Sequence, residues 1–280
     1  MLPWRGTAED RPAGVVVPPA RMPLAVRGQP LKRWRYVGVF GERLMLCAGV
    51  VWIGVVPQAF WAVWDRRTGV LRERTRFVRP GRFASVGGGG ASVAIRDGGV
   101  SASLAVSFGA AVETASPHGR AWIWTRKQGG VRVRGRVVLD GEAIVVDDVG
   151  CVDESAGYHA RATDWQWSAG AGRLVDGRSV AWNLVTGVHD APAASERTIW
   201  VDGEPVECAP VEFAPSLEAI AFADGSRLRF SAEATRARTD DLLLLRSEYQ
   251  QPFGTFAGTL EGGLELAEGR GVMERHSARW

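Results

Sequence analysis

Residues 157–167 read GYHARATDWQW, which gathers Tyr158, His159, Arg161, Asp164, Trp165 and Trp167 into one short stretch. Histidine and carboxylate exchange protons near neutral pH, and indoles offer apolar walls with electron-rich faces. As a strand, the stretch sends His159, Arg161, Thr163, Trp165 and Trp167 to one face, and Tyr158, Ala160, Ala162, Asp164 and Gln166 to the other. A plain core strand fills one face with aliphatic residues. A strand lining a pocket mixes aromatic rings with a few placed polar groups, which is the pattern here. The alternative is a core filled by the tryptophans, with His159 and Arg161 at its rim.

The segment GRSVAWNLVTGVHDAPAASERTIWVDGEP carries Asn183, His189, Asp190, Glu196 and Arg197 on a strand, a loop and a second strand. Asn183 sits in an apolar run, where a buried amide must find partners. His189 beside Asp190 has the composition of an acid or base. Glu196–Arg197 is either part of that chemistry or an ion pair holding the loop. AWIWTRKQGG sets Trp122 and Trp124 on one face ahead of Arg126 and Lys127, either an aromatic wall with a cationic lid or a strand entering a solvated turn. SEYQQPFG adds Glu248 and Tyr249 near an aromatic turn.

Two chemistries suit these residues. One is binding of an apolar small molecule, lipid or isoprenoid-like, in an aromatic pocket; Tyr158, His159, Arg161, Trp165, Trp167, Asn183, Arg197, Trp122, Trp124, Lys127, Glu248 and Tyr249 are its expected contacts. The other is acid–base catalysis of hydration, cyclisation or isomerisation. Protonating an alkene needs a carboxylic acid kept neutral by an apolar site and aromatic faces for the cation. Asp164 is the first candidate acid, Glu196 the next, with His189 beside them. Alternation turns Asp164 away from Trp165, so a bulge would have to bring it back. A third reading is a structural or interaction protein in which these stretches are satisfied core.

Other site chemistries lack their motifs. The sequence has no GxSxG, no P-loop and no GxGxxG opening a helix. Its four histidines, His118, His159, His189 and His276, show neither HxH nor HExxH spacing, so no metal and no cofactor are expected. Three widely spaced cysteines, Cys47, Cys151 and Cys208, fit a reducing, cytoplasmic setting better than a disulfide framework.

The elements that must position these residues read as strands. Asp97–Gly98, Asp140–Gly141, Asp176–Gly177, Asp202–Gly203 and Asp224–Gly225 are hairpin turns between strand-like runs. VRVRGRVVLDGEAIVV is one such hairpin, with Val131 and Val133 opposed to the arginines, and Thr68–Gly69 marks another. Helical periodicity is almost absent; only Asp240–Leu245 allows a helical turn, and a buried strand serves there equally well. Leu44–Trp64 is free of charge and long enough to span a bilayer, yet its composition and the Pro57–Gln58 break favour two core strands. No transmembrane segment or secretory signal is expected, which leaves peripheral membrane contact open. Residues 1–28 form a Pro-rich arm and GGGG at 87–90 a flexible loop. The charge divides sharply, +14 over residues 1–140 and −11 over 141–280 within a net of +3. Halves of opposite sign attract, which favours a tight interface between a basic domain, 29–145, and an acidic one, 146–280. No zinc-finger, RNP-like or helix-turn-helix motif supports nucleic acid as the partner of the basic half.

GYHARATDWQWSAGAG, GRSVAWNLVTGVHD, SERTIWVDGEP and the terminal QPFGTFAGTL…GRGVMERHSARW together resemble the bacterial domain-of-unknown-function family 2804, over about Leu31 to Trp280. That family is distantly similar to AttH-type proteins and carotenoid 1,2-hydratases. The resemblance implies an all-β chain of two packed lipocalin-like barrels, and a kinship in which some members hydrate or cyclise isoprenoids. It assigns no catalytic residue, so Asp164, Glu196 and His189 stand on their own chemistry.

Overall fold

The computed structural model describes residues 3–77, 81, 83–242 and 245–279. Their regular structure is β-strand apart from one 3-10 turn. The first sheet is built from β1 (Trp4–Gly6), β2 (Ala25–Val26), β3 (Gln29–Phe40), β4 (Leu44–Ile53), β5 (Val56–Asp65), β6 (Val70–Arg76), β7 (Ala84–Val86), β8 (Ser92–Asp97), β9 (Val100–Val106), β10 (Val112–His118), β11 (Ala121–Leu139) and β12 (Glu142–Tyr158). The second holds β13 (Ala162–Leu174), β14 (Ser179–Thr186), β15 (Thr198–Val201), β16 (Glu204–Glu207), β17 (Val211–Phe213), β18 (Ala219–Phe222), β19 (Arg227–Leu242), β20 (Leu245–Leu260) and β21 (Leu264–Arg279). The Asp240–Leu245 segment thus ends one strand and begins the next; Leu243 and Leu244 lie outside the described residues.

The two sheets share one topology. The first runs β6-β5-β4-β3-β12-β11-β9-β8-β7 and the second β16-β15-β14-β13-β21-β20-β19-β18-β17. In each antiparallel meander the first long strand pairs with the last, β3 with β12 and β13 with β21, so the sheet curls back on itself. The curl brings β4 and β5 against β7, and β14 against β17, without ladder bonds. Both barrels are filled. Val37, Leu46, Trp61, Ile95 and Val133 pack inside the first, and Trp182, Leu184, Phe230, Phe256 and Met273 inside the second. Burying each such side chain contributes roughly 1.5–3 kcal/mol.

A third cluster lies between the barrels. Tyr36, Phe40, Met45 and Cys47 meet Trp167, Ala169, Trp200, Phe253 and Val272 there. Strands at this interface are buried on both faces, and LMLCAGVVWI is apolar throughout for that reason. Leu44, Leu46, Ala48 and Val50 point into the first barrel, while Met45 and Cys47 point at the second. The hairpin turn after it falls at Gly54–Val55, just ahead of Pro57. Ion pairs close the same interface: Arg66–Glu233 at 2.7 Å, Arg236–Glu73 at 3.1 Å and Lys127–Glu196 at 3.3 Å.

Two expectations change. The chain leaves the first sheet at Tyr158 and enters the second at Ala162, so the break falls at 159–161 rather than at 145. The Asp140–Gly141 turn, with φ of 49° and 91°, folds β12 back along β11, and β3 captures its other edge. The glycine run at 87–90 forms a 3-10 turn, Gly88–Gly90, whose last residue packs on Val152. Residues 1–28 are tied down: β1 pairs with β10, β2 with β3, and Val15, Val17 and Met22 are buried.

Two local devices aim the site. A bulge between Gly129 and Val131 on β11 reverses which residues face inward, so Lys127 points at the interface while Val131 and Val133 point into the barrel. On β4, Gly49 leaves room for the Phe60 ring, which lies where a side chain at 49 would be. Gly49→Ala is expected to displace Phe60 and cost about 1–3 kcal/mol by overpacking. The urea midpoint should fall with the m value unchanged; an unaltered midpoint would show that Phe60 does not rest on this glycine.

Candidate functional site

A cavity of about 210 Å³ lies between the two barrels, walled by β3–β6, β11 and β12 on one side and β13, β14 and β19–β21 on the other. Trp34, Tyr36, Phe60, Trp165, Trp167 and Tyr249 give it an aromatic surface. Two groups of ionisable side chains interrupt that surface.

The first group centres on Lys127, which is 4% exposed. Antiparallel pairing sets Lys127 opposite Asp153, and the two meet at 2.8 Å. Asp153 also accepts from Trp34 Nε1 at 3.2 Å and Thr125 Oγ1 at 3.4 Å. Glu196 approaches Lys127 from the second barrel at 3.3 Å. One cation therefore serves two carboxyls, with Asp153 the nearer. Burial and then the charge of Asp153 push Glu196 up, to about 7, against the pull of Lys127. Lys127 is itself held above the usual ammonium range by the two carboxyls, whose attraction outweighs its burial.

The loop between β14 and β15 delivers both Glu196 and His189. His189 takes a left-handed φ of 49°, and its carbonyl accepts from the Glu196 N–H at 3.0 Å. His189 Nδ1 meets Ser116 Oγ at 2.9 Å, while Nε2 is buried without a partner. His159 stands between the rings of Trp34 and His118, and neither of its ring nitrogens has a partner. Burial holds both histidines well below the usual imidazole range, so they stay neutral.

The second group comes from β19–β21. Glu274 accepts from Trp165 Nε1 at 2.7 Å and Gln251 Nε2 at 2.9 Å, and burial raises its pKa despite those donors. His276 packs on Trp165 with ring centroids 4.2 Å apart, meets Ser247 Oγ at 2.9 Å, and is pushed down to about 3 by burial. Arg236 is sandwiched by the rings of Phe60 and Tyr249 and bonds Tyr249 Oη and Thr75 Oγ1, each at 3.1 Å.

Of the residues singled out in the sequence, His159, Trp165, Trp167, Lys127, His189, Glu196 and Tyr249 line this cavity. Asn183 supports it from behind, accepting from Trp167 Nε1 at 2.8 Å and donating to the Glu196 carbonyl at 3.0 Å. The others point elsewhere. Asp164 is exposed: β13 keeps a regular register from Ala162 to Arg173, so no bulge turns it toward Trp165. Arg161 and Glu248 are exposed as well. Tyr158 and Trp122 pack with the N-terminal arm, and Trp124 donates to Glu113 at 2.8 Å. Arg197 binds the carbonyls of Cys208 and Ala191, fixing the loop, so it is not the ion-pair partner of Glu196. Among the described residues no cluster of His, Cys, Asp and Glu is placed to hold a metal, and no helix is long and apolar enough to cross a membrane.

The family model described as Domain of unknown function (DUF2804) matches residues 92–280. The chain belongs to this family. By structure it is similar to an AttH candidate from Nitrosomonas europaea, with TM-score 0.52, 13% identity, and 93% of this chain and 98% of that one covered. It is also similar to kievitone hydratase from Nectria haematococca, with TM-score 0.52, 8% identity and coverage of 89% and 88%. These likenesses are of fold. No curated protein shows significant sequence similarity to the chain.

Sequence reasoning missed Asp153, Arg236, Glu274 and His276. The one local signal was a carboxylate pair, Asp153–Glu154, inside the otherwise small and apolar run GCVDESAGY. Glu196 gives the cluster a test. Its folded pKa lies above the ordinary 4.5, so the stability it contributes is fully present below pH 4.5 and is lost as pH rises through about 7. Glu196→Gln keeps an oxygen for Lys127 and has no proton to lose. Its stability relative to the unmodified protein should therefore rise between about pH 5 and about pH 8 in urea titrations. A difference independent of pH would mean that Glu196 is ionised throughout.

Proposed function

We propose that this DUF2804 protein is an acid–base enzyme acting on a neutral, largely apolar small molecule of lipid or isoprenoid kind, bound between the two barrels. The observation that carries this reading is Glu196, a buried carboxyl whose proton is held near neutral pH inside an aromatic cavity. A carrier needs the aromatic walls but not an acid, two neutral histidines with unmet ring nitrogens and a second raised carboxyl at Glu274.

Lys127 and Asn183 both contact Oε1 of Glu196, which leaves Oε2 to carry the proton. In the proposed reaction the π pair of a substrate C=C takes that proton, and the adjoining carbon becomes cationic beside the Trp165 and Trp34 rings. Hydration follows when water bonds to that carbon and returns a proton to the Glu196 carboxylate. Cyclisation follows when a second C=C attacks that carbon and the new cation gives a neighbouring proton to the Glu196 carboxylate, and isomerisation when a C–H beside the first cation gives its proton to the same carboxylate. His159 and His189 Nε2 would hold a hydroxyl or carbonyl of the substrate, since unmet buried nitrogens favour a hydrogen-bonding occupant. Kievitone hydratase, similar in fold, is by name an enzyme that adds water.

The test is incubation of the protein with apolar extracts in heavy water and in heavy-oxygen water, read by mass spectrometry. One neutral compound is expected to gain solvent deuterium or oxygen. Glu196→Gln should slow that gain on the order of 10²–10⁴-fold while still binding the compound. A compound bound stoichiometrically and returned unlabelled would make the cavity a carrier site instead.

A further inference from the structure

A second cavity, of about 530 Å³, lies at the end of the first barrel beneath the N-terminal arm. Arg33 and Arg35 border it from the face of β3 that carries Val37 into the barrel core. Trp52 adjoins them from β4, Trp124 and Arg126 from β11, and Glu154 from β12. The arm crosses above with Ala8, Arg11, Pro18 and Pro19. Below, Val50 and Val86 belong to the packed interior, so the floor is closed.

The charges here do not balance. Glu113 is fully engaged by Arg11, at 2.7–2.9 Å, and by Trp124 Nε1. Glu154 is shared by Arg35 at 2.8 Å and Arg126 at 3.4 Å. Arg33 has no carboxylate partner among the described residues; its guanidinium lies 5.8 Å from the Trp52 ring centroid, and its Nε is buried without a hydrogen bond. Four guanidiniums thus face two carboxylates. A cationic excess in a partly apolar pocket is stabilised by an anion, and a guanidinium matches a carboxylate in plane and spacing. Two indoles at the walls favour a flat ring, and the closed floor leaves no channel for a long chain.

We propose that this vestibule is a second binding site, for a compact aromatic carboxylate, with Arg33 receiving the carboxylate and Trp52 and Trp124 flanking the ring. The site has Trp34 and Arg35 in common with the cavity between the barrels but neither Glu196 nor Lys127, so its anion-binding role does not rest on the proposed reaction. It also accounts for Trp124 and Arg126, which the sequence marked as an aromatic wall beside a cation and which the cavity between the barrels leaves unused.

Calorimetric titration with naphthoate, with neutral naphthalenemethanol and with inorganic phosphate tests it. Naphthoate is expected to bind, and the other two at least about tenfold more weakly. Arg33→Gln should weaken naphthoate by about tenfold or more. That variant orphans no carboxylate, so its unfolding midpoint should match that of the unmodified protein. Glu196→Gln should leave naphthoate affinity within about twofold, because Glu196 lines only the cavity between the barrels. The proposal is overturned by no binding at about 1 mM naphthoate, by equal affinity for the alcohol, or by an Arg33→Gln protein that binds as before. Loss of naphthoate binding in Glu196→Gln would move the ligand to the cavity between the barrels and overturn it equally.

Discussion

Lys127 carries a single positive charge into a buried space faced by Asp153 of its own barrel and Glu196 of the other. A buried cation is tolerated only where carboxylates compensate it, and removing it would leave the Asp153 carboxylate buried without its cation. The trio therefore ties the barrels together and sets the proton affinity of Glu196 in the same contact. With Asp153 taking the larger share of Lys127, Glu196 is left short of compensation, and a proton supplies what the cation does not. The rest of the interface protects this arrangement. Tyr36, Phe40, Trp167 and Phe253 exclude water around it, and Arg66–Glu233 and Arg236–Glu73 close its flank.

Two meanders of identical strand order use their surfaces for different ends. Their interiors are filled with aliphatic and aromatic side chains, so neither barrel holds a ligand at its centre. Space for a ligand is left where the packing is interrupted, between the barrels and at one mouth of the first. Both places are reached by residues on long paired strands, which hold side chains more rigidly than loops do. One exception is the loop carrying His189 and Glu196. It is pinned by Arg197 from within, by Glu207 through Ser195, and by Arg5 of the N-terminal arm through the Ser195 carbonyl.

Much of the site's outline was legible locally. The alternation in ATDWQW puts Trp165 and Trp167 on one face, and both line the cavity. His189 and Glu196, read from the composition of one loop, arrive together because the Glu196 N–H to His189 carbonyl bond closes that loop on itself. The same alternation counted against Asp164, and the unbroken register of β13 upholds it. Glu274 and His276 announced nothing in their own neighbourhood. They join the site because β13 pairs with β21 in a register that sets Trp167 opposite Glu274 and Trp165 opposite His276.

The sequence by itself determined the all-β class, the hairpins at the Asp–Gly turns and the inward faces of the aromatic strands, because turn geometry and period-two alternation depend on near neighbours alone. It also carried the division of charge between a basic first half and an acidic second half, since charge is additive along the chain. Only the tertiary structure decided where the sheets divide, which carboxyl keeps its proton and where a guanidinium stays uncompensated. Those depend on burial and on charges brought from distant strands, and a proton affinity is set by the surroundings of a group in space, whatever residues adjoin it in sequence.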